Sequence, residues 1–197
     1  MLKIGLTGNM GSGKTTVSKI FELLGVPVFY ADDAAKNVMV TDPVLVGEIK
    51  LAFGGLSYFD DGTLNRKHIA DIVFNNSGEL KKLNNVVHPA VFRAFDLWLK
   101  NCNDAPYVIK EAALLFESDS YKLCDHTIMV QAPLETRIMR VMQRDGLTCE
   151  QVERRNSNQF SEEKKTQLAD YIIVNDDNQL VIPRVLELHD LFSSLKA

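Results

Sequence analysis

The stretch Gly8-Asn9-Met10-Gly11-Ser12-Gly13-Lys14-Thr15 fits G-x-x-x-x-G-K-[ST], a pattern typical of loops that hold phosphate groups. Residues 2–7 in front of it form a mostly apolar run that is short enough for a buried strand. Residues 16–24 behind it carry apolar side chains at helical spacing. Strand, glycine-rich loop and helix in this order predict an α/β fold built around a phosphate-binding loop.

Each residue type in the loop suits a bound phosphate chain. Glycines let successive N–H groups approach an oxygen-rich ligand, and a helix that begins near Gly13 adds the positive end of its dipole. We expect Lys14 to contact the β- and γ-phosphates and the Thr15 hydroxyl to bind Mg²⁺. The nucleotide-binding residues predicted from the loop are Gly8, Gly11, Ser12, Gly13, Lys14, Thr15 and Thr16.

The length and composition of the chain predict one globular unit. Its 197 residues are 46% hydrophobic and 24% charged with a formal charge of −4, a balance that argues against nucleic-acid binding. No apolar run approaches the length of a membrane span, and the amino terminus leads into a strand instead of a signal peptide. Cys102, Cys124 and Cys149 lack the spacing of a zinc site or a disulfide framework. We therefore expect a cytoplasmic protein without a membrane or nucleic-acid partner.

An acidic pair follows the predicted second strand, which covers residues 27–31. The carboxyl ends of parallel strands share one sheet edge, where ligands bind and where the phosphate loop also emerges. Asp32 is therefore a candidate to accept the proton of an attacking hydroxyl or to order the waters of a metal. In the alternative interpretation, Asp32 or Asp33 only caps a helix that begins at Ala34, and Asp33 fits that cap better.

The segment between the second and third predicted strands shows helical patterns but no convincing strand. Asn65 is predicted to cap a helix over residues 66–74, and His88-Pro89 is predicted to begin another helix. The segment is too long for a simple crossover, so we interpret it as a helical insert above the carboxyl edge of the sheet. It either binds an acceptor molecule or is a purely structural extension. His88 likewise either starts a helix or contacts a ligand.

The remaining strands and helices follow in alternation. The pattern predicts strands over residues 107–111 and 126–131, a strand and turn over 169–176, a helix over 134–144 and a final helix over 183–195. A Walker B aspartate after four apolar residues is not evident, and Glu111 and Asp32 are the nearest substitutes.

Basic residues are concentrated between the fourth and fifth predicted strands and are interleaved with glutamates. Most of these charges fit solvated helix faces. A polar, arginine-bearing pair of helices in this position also describes a lid that closes over nucleotide phosphates. Arg140 and Arg144 share a helix face, so that one of them reaches the transferred group while the other holds structure. The basic residues are Arg137, Arg140, Arg144, Arg154, Arg155, Lys164 and Lys165.

The combination of these features resembles the dephospho-coenzyme A kinase family over nearly the whole chain. The phosphate loop alone is shared with many kinases, whereas the combination is much more specific. The resemblance implies an α/β P-loop three-layer fold with a five-stranded parallel sheet, a helical acceptor-binding insert and a small helical lid. It rests on residues 6–16, Ala31-Asp32 with Ala34-Ala35, Asp61-Gly62-Thr63-Leu64, His88-Pro89, Leu114-Leu115-Phe116-Glu117, Arg140 with Gln143-Arg144-Asp145, and residues 169–173.

The resemblance implies transfer of the γ-phosphoryl group of ATP to the ribose 3′-hydroxyl of dephospho-coenzyme A, with Mg²⁺, as the last step of coenzyme A synthesis. It implies that Asp32 orients or deprotonates this hydroxyl. Lys14 and Arg140 would stabilise the transferring phosphoryl group, with Thr7 as a nearby active-site hydroxyl. Asn175 would lie beside the adenine of ATP. The residues implied on the acceptor side are Asp32, His88, Leu114, Phe116 and Glu117.

The implied division of the chain has three parts within one globular unit. The insert and the lid interrupt a nucleotide-binding core. The core comprises residues 1–33, 104–135 and 168–197, the insert residues 34–103, and the lid residues 136–167.

Two positions depart from the pattern of the family. Tyr30 stands two residues before Asp32, where an aspartate is common, and Ala113 stands where proline is common before Leu-Leu-Phe-Glu. Neither departure removes a residue to which chemistry is assigned. Phosphoryl transfer depends mainly on positioning and charge stabilisation, so one carboxylate outside the reaction line is dispensable.

Two other functions remain open from the sequence. Another P-loop kinase, acting on a nucleoside, a nucleotide or a sugar, would have a similar loop and lid. A regulatory nucleotide switch that hydrolyses slowly has less support, because the chain has no Asn-Lys-x-Asp stretch for reading guanine. The helical insert, the His-Pro pair and the Leu-Leu-Phe-Glu run favour the coenzyme A precursor as acceptor.

Overall fold

The structure, a computed structural model, describes residues 1–73, 76–102 and 104–195. The chain divides into two compact units. The first comprises Met1–Tyr30 and the chain from Cys102 onward, and it contains the sheet. The second comprises Ala31–Asn101 and is built mainly from helices. The phosphate-binding loop and the predicted lid therefore belong to the same unit.

The described residues form five strands and nine α-helices, with short 3₁₀ turns at Gly55–Ser57 and Ser120–Leu123. The strands are β1 (Leu2–Thr7), β2 (Val28–Tyr30), β3 (Tyr107–Glu111), β4 (His126–Gln131) and β5 (Tyr171–Val174). The helices are α1 (Lys14–Leu23), α2 (Ala31–Thr41), α3 (Pro43–Phe53), α4 (Arg66–Val73), α5 (Ser77–Leu99), α6 (Leu134–Asp145), α7 (Cys149–Asn156), α8 (Glu162–Leu168) and α9 (Val181–Ser194).

All five strands run parallel in one sheet, in the order β2-β3-β1-β4-β5. The central strand, β1, pairs with β3 up to Leu6↔Glu111 and with β4 up to Thr7↔Met129. This register brings the carboxyl ends of three strands to the edge from which the phosphate loop leaves. The predicted five-stranded parallel sheet is confirmed, with β2 shorter than predicted and β5 inside the predicted strand and turn.

The apolar core of the sheet unit lies between the sheet and helices α1 and α9. Leu2, Ile4 and Leu6 all enter it, because alternate side chains of a strand share one face. The helices contribute Val17, Phe21, Val185, Leu188 and Phe192. This core holds β1 and α1 in place and so fixes the two ends of the phosphate loop.

Helix α9 differs from its prediction at both ends. It begins at Val181, two residues before Pro183, because proline is tolerated in the first turn of a helix. It ends at Ser194, so that Leu195, predicted to pack on the sheet, lies beyond the helix and is exposed.

In the helical unit, the predicted start of α4 is confirmed and that of α5 is wrong. Asn65 Oδ1 accepts from the His68 N–H at 3.1 Å, as expected of an N-cap, although Phe74 at the predicted end lies outside the described residues. Pro89 lies inside α5, which begins twelve residues earlier at Ser77 under an Asn76 cap. A proline inside a helix removes one backbone hydrogen bond, and the buried face of Val87, Ala90, Val91 and Phe95 offsets that loss. Among the described residues, no helix combines the length and apolar character needed to cross a membrane.

Asp42 links two helices of this unit. Its carboxylate caps α3 by accepting from the N–H groups of Val44 and Leu45, at 3.0 and 3.2 Å, and it accepts from Arg93 of α5 at 2.6 Å. The Arg93 hydrogen bond and charge, together with the cap, hold the pKa of Asp42 below its ordinary value of 3.8. One side chain thus begins α3 and joins it to α5.

We expect Asp42→Ala to lower the free energy of unfolding by about 1–2 kcal/mol at neutral pH, because it removes both the cap and the ion pair. Asp42→Asn keeps the cap and should lose less. A carboxyl group whose pKa is lower in the folded than in the unfolded state stabilises the folded state when the pH is above the unfolded-state pKa. This stabilisation is lost as the pH falls through the folded-state pKa. In urea unfolding, the difference in the free energy of unfolding between the wild type and Asp42→Asn should therefore decrease from about pH 7 toward about pH 3. The exposed Asp60→Asn is the control, and a gap that widens in acid would contradict the assignment.

Candidate active site

The phosphate-binding loop connects β1 to α1 and leaves the amino end of α1 open. Gly13, at the N-cap, has a left-handed backbone with φ 94°, and no described side chain caps the helix. The first N–H groups of α1 therefore remain oriented toward a position that favours an anion. Lys14 Nζ donates to the Gly8 carbonyl at 3.0 Å, which places its ammonium group against the loop. The arrangement has the geometry and charge of a phosphate site.

Packing within the protein also requires the glycines of the loop. A Cβ at Gly8 would lie 2.5 Å from the carbonyl oxygen of Val130 in β4. One at Gly11 would meet the carbonyl oxygen of Arg137 in α6. One at Gly13 would meet the side-chain nitrogen of Asn175. The loop thus lies closer to β4, α6 and Asn175 than a larger residue permits, a reason for these glycines that the sequence prediction did not include.

Two predicted site residues from distant parts of the chain contact this loop. Asn175 Nδ2 donates to the Ser12 carbonyl at 2.8 Å, and its own N–H donates to Gln131 at the end of β4. Arg140 of α6 donates to the Gly11 carbonyl at 3.4 Å and forms an ion pair with Asp177 at 2.6 Å. The structure therefore brings both residues to the loop, while their roles toward a nucleotide stay predictions.

The second lid arginine lies in a different environment. Arg144 makes two hydrogen bonds to Asp145, at 2.7 and 2.9 Å, and more than half of its side chain is exposed. These bonds raise the pKa of Arg144 and lower that of Asp145. The two arginines predicted to share a helix face thus have different partners. Arg140 contacts the phosphate loop, whereas Arg144 pairs with Asp145.

The segment after β3 carries three of the predicted acceptor-side residues, Leu114, Phe116 and Glu117, and it contacts β1. The Thr7 hydroxyl donates to the carbonyl of Ala113 at 3.5 Å, one residue before Leu114. Phe116 is 3% exposed and packs on Tyr121, whereas Leu114 is half-buried. Glu117 accepts from Lys165 at 2.9 Å and from the Phe160 N–H at 2.7 Å, so its carboxylate holds α8 and the turn in front of it.

Two basic residues of the segment between β4 and β5 are buried, whereas most of the other basic residues there are exposed, as predicted. Arg137 donates to the Ala132 carbonyl at 3.0 Å and to Asn156 at 2.9 Å, and it pairs with Glu162 at 3.4 Å. Lys165 is fully buried against Glu117. Burial lowers the pKa of both cations, and their acidic partners raise it in part. A short polar helix such as α8 has little apolar surface, so it packs through paired charges.

Asp32 and His88 belong to the helical unit. β2 passes directly into α2 at Ala31, so both Asp32 and Asp33 lie in the first helical turn and neither is the N-cap. The prediction that Asp33 caps a helix from Ala34 is therefore wrong, and Asp33 instead pairs with Lys36 at 2.7 Å. Asp32 is exposed. His88 lies in the middle of α5 with its ring stacked on Phe92, so it does not start a helix.

Two stretches that carried the family resemblance have structural contacts in this protein. Asp170 accepts from the N–H and hydroxyl of Thr127, at 2.7 and 2.8 Å, and so ties the starts of β4 and β5. Asp61 accepts from the N–H and hydroxyl of Thr63 in a turn where Gly62 has φ 81°. Both contacts are local and structural, one in each compact unit.

The sequence interpretation missed the residues that join the turn between α7 and α8 to the phosphate loop. Asn9 Nδ2 donates to the Phe160 carbonyl at 2.9 Å, and the Met10 N–H donates to Gln159 Oε1 at 2.9 Å. Asp177, the partner of Arg140, was also missed. Met10 and Gln159 are 149 positions apart, and no local pattern reports a hydrogen bond over that separation. Asn and Gln at loop positions were the only available signal.

Comparison with known proteins gives consistent matches. The dephospho-CoA kinase family model matches residues 2–180. A protein named dephospho-CoA kinase from Bacteroides fragilis (strain YCH46) is 38% identical over 187 residues, 95% of this chain and 91% of that protein. One from Salinibacter ruber is 40% identical over 178 residues, 89% of each chain.

Two solved structures are also similar over almost their whole length. A crystal structure from Thermus thermophilus has a TM-score of 0.85 and 35% identity, with 96% of each chain covered. Dephospho-CoA kinase from Campylobacter jejuni has a TM-score of 0.70 and 26% identity, covering 97% of this chain and 96% of that chain.

Proposed function

Because this chain belongs to the dephospho-CoA kinase family, we propose that it transfers the γ-phosphoryl group of ATP to the ribose 3′-hydroxyl of dephospho-coenzyme A. The observation that carries the proposal is the phosphate loop with Lys14 and Arg140 both against it. In the reaction, the bond between the γ-phosphorus and the bridging oxygen of ADP breaks. A new bond forms from that phosphorus to the ribose oxygen, which loses its proton.

The donor side of the site consists of the loop and α1. The open N–H groups at the start of α1 bind phosphate oxygens, and the Lys14 ammonium group contacts the β- and γ-phosphates. The remaining loop residues, Gly8, Gly11, Ser12, Gly13, Thr15 and Thr16, surround the phosphate chain. Asn175 has its amide on the Ser12 carbonyl, which supports a position at the nucleotide.

Charge that develops on the transferring group is stabilised by Lys14 and Arg140. Such stabilisation is strongest when the cations are already in place, because no reorganisation is then needed during the reaction. The ion pair to Asp177 holds the Arg140 guanidinium near Gly11. Arg140 exchanges part of this pairing for phosphate oxygens when ATP enters.

Asp32 receives the proton of the 3′-hydroxyl or aligns that hydroxyl for attack. The support for this role is its exposed carboxylate in the first turn of α2, with no hydrogen bond to it among the described residues. The neighbouring Asp33, by contrast, is occupied by Lys36. His88, Leu114, Phe116 and Glu117 are proposed on the acceptor side, and Thr7 is proposed as a hydroxyl beside the reacting groups.

Mg²⁺ is proposed to bind through the Thr15 hydroxyl and the phosphate oxygens of ATP. Thr15 is an exposed second residue of α1, directly after Lys14, and a hydroxyl is an oxygen ligand of the kind that Mg²⁺ prefers. When bound, the ion neutralises charge on the β- and γ-phosphates.

The proposed reaction is tested with a panel of acceptors incubated with the protein, ATP and Mg²⁺. Of the acceptors in the panel, only dephospho-coenzyme A should give rapid ADP release and a product that is one phosphoryl group heavier than the acceptor. Its 3′-deoxy analogue should be inert, and a chelator should stop the reaction. Phosphorylation of nucleoside monophosphates, nucleosides or sugars in place of dephospho-coenzyme A would overturn the proposal. Slow, acceptor-independent hydrolysis would instead support a nucleotide switch.

A further inference from the structure

We propose that Gln159, between α7 and α8, is a positioning residue that ties the phosphate loop to the segment after β3. Its effect on phosphoryl transfer rests on the function proposed above. Its effect on the loop itself does not, because the contacts that hold the loop are hydrogen bonds between residues of the protein. The relevant parts all lie within the sheet unit.

Gln159 and Phe160 hold the first turn of the phosphate loop. That turn is closed by a hydrogen bond from the Ser12 N–H to the Asn9 carbonyl at 3.1 Å. The Gln159 side-chain oxygen accepts from the Met10 N–H, and the Phe160 carbonyl accepts from the Asn9 side chain, both at 2.9 Å. Asn9 is 1% exposed, so this contact is shielded from water. Two consecutive lid residues thus fix two consecutive loop residues.

The other end of the Gln159 amide reaches the segment that carries the predicted acceptor-side residues. Gln159 Nε2 donates to the Ala113 carbonyl at 3.5 Å. The same carbonyl accepts from the Thr7 hydroxyl at 3.5 Å and from Lys165 Nζ at 2.8 Å. The Ala113 carbonyl oxygen therefore accepts from side chains of β1, of the turn before α8 and of α8 itself. Proline at position 113 would offer this carbonyl equally well, so the Ala113 departure leaves the junction intact.

A buried ion pair keeps the turn at residues 159–160 in this position. Lys165 pairs with Glu117 at 2.9 Å, and the same Glu117 oxygen accepts from the Phe160 N–H at 2.7 Å. Phe160 is thus held on both sides, by Glu117 through its N–H and by Asn9 through its carbonyl. Gln159 consequently meets the loop at a defined place.

This junction connects the loop that binds the donor with the segment that is proposed to bind the acceptor. Phosphoryl transfer requires the attacking oxygen and the γ-phosphorus to be aligned, and small misplacements cost rate. Loss of the Gln159 amide should therefore lower kcat more than it raises the KM for ATP, since the phosphate-binding groups of α1 remain.

The test uses Gln159→Leu and Gln159→Glu, with Gln167→Leu on the exposed face of α8 as the matched control. In the unliganded protein, the Met10 amide should exchange with solvent about three- to tenfold faster in Gln159→Leu, as expected for one lost hydrogen bond. Gln159→Glu keeps an oxygen for Met10 but cannot donate to Ala113, so it should restore the protection. With dephospho-coenzyme A, both variants should lose kcat by about tenfold or more. Gln167→Leu should match the wild type in both measurements.

Met10 amide exchange tests the Gln159 contact by itself, whereas kcat tests its effect on the proposed reaction. A wild type that does not phosphorylate dephospho-coenzyme A would overturn the proposed function, while the Met10 exchange rate would still test the contact. Unchanged Met10 exchange in Gln159→Leu would overturn the inference. So would a loss confined to the KM for ATP, because it would indicate a binding role instead of a positioning role.

Discussion

Asp32→Asn is expected to lower kcat for phosphorylation of dephospho-coenzyme A by about 10²–10⁴-fold and to leave ATP affinity nearly unchanged. The substitution keeps the size of the side chain but removes its capacity to take a proton. The groups proposed to bind ATP lie in the phosphate loop, α1 and α6, and the substitution does not alter them. Steady-state kinetics should therefore show the change in kcat, and calorimetry should show the preserved ATP affinity.

Asp33→Asn is the matched control for this experiment. The two residues are adjacent in the same helical turn, and both are exposed, so the electrostatic change at the start of α2 is similar. Asp33 pairs with Lys36, and its loss should leave kcat near the wild-type value. Equal rates for Asp32→Asn and the wild type would remove Asp32 from the proposed role.

Lys165→Met is expected to lower the free energy of unfolding by about 3–5 kcal/mol. Lys165 is fully buried, and its ammonium group pairs with Glu117 and donates to the Ala113 carbonyl. Removing it leaves a mostly buried carboxylate without its charge partner, and that desolvated charge is the main source of the loss. The shift is measured by chemical unfolding of the full chain.

Two further variants distinguish a buried ion pair from ordinary loss of packing. Glu117→Gln added to Lys165→Met removes the orphaned charge and keeps an oxygen for the Phe160 N–H, so it should recover part of the stability. Lys164→Met removes an exposed neighbour whose ammonium group lies 3.3 Å from the centre of the Phe160 ring, and it should cost no more than about 1 kcal/mol. If Lys165→Met unfolds at the same denaturant midpoint as Lys164→Met, the Lys165–Glu117 ion pair does not stabilise the fold as proposed.

Local patterns were sufficient for most of the sheet and for the identity of the phosphate loop. The bounds of β1, β3 and β4 agree with the prediction, because short, mostly apolar runs mark buried strands. The family resemblance is also confirmed, since it rests on short stretches that are contiguous in sequence.

The errors arise where packing overrides a local preference. His88-Pro89 was interpreted as a helix start, yet α5 continues through Pro89 because its buried face stabilises the helix on both sides. Aspartate is a preferred N-cap residue, yet α2 begins directly after β2, so that Asp33 lies inside its first turn. In both cases the residue has a known preference, and neighbouring contacts outweigh it.

The sequence of this chain was enough to identify a phosphate-binding loop, a parallel sheet and a kinase family, because each depends on residues that are close together along the chain. Only the tertiary structure revealed that Asp177 pairs with Arg140, that Lys165 and Arg137 are buried, and that Gln159 joins the loop to Ala113. Those contacts join residues separated by dozens to more than a hundred positions. Their distances and burial depend on how helices pack against the sheet, which no local pattern encodes.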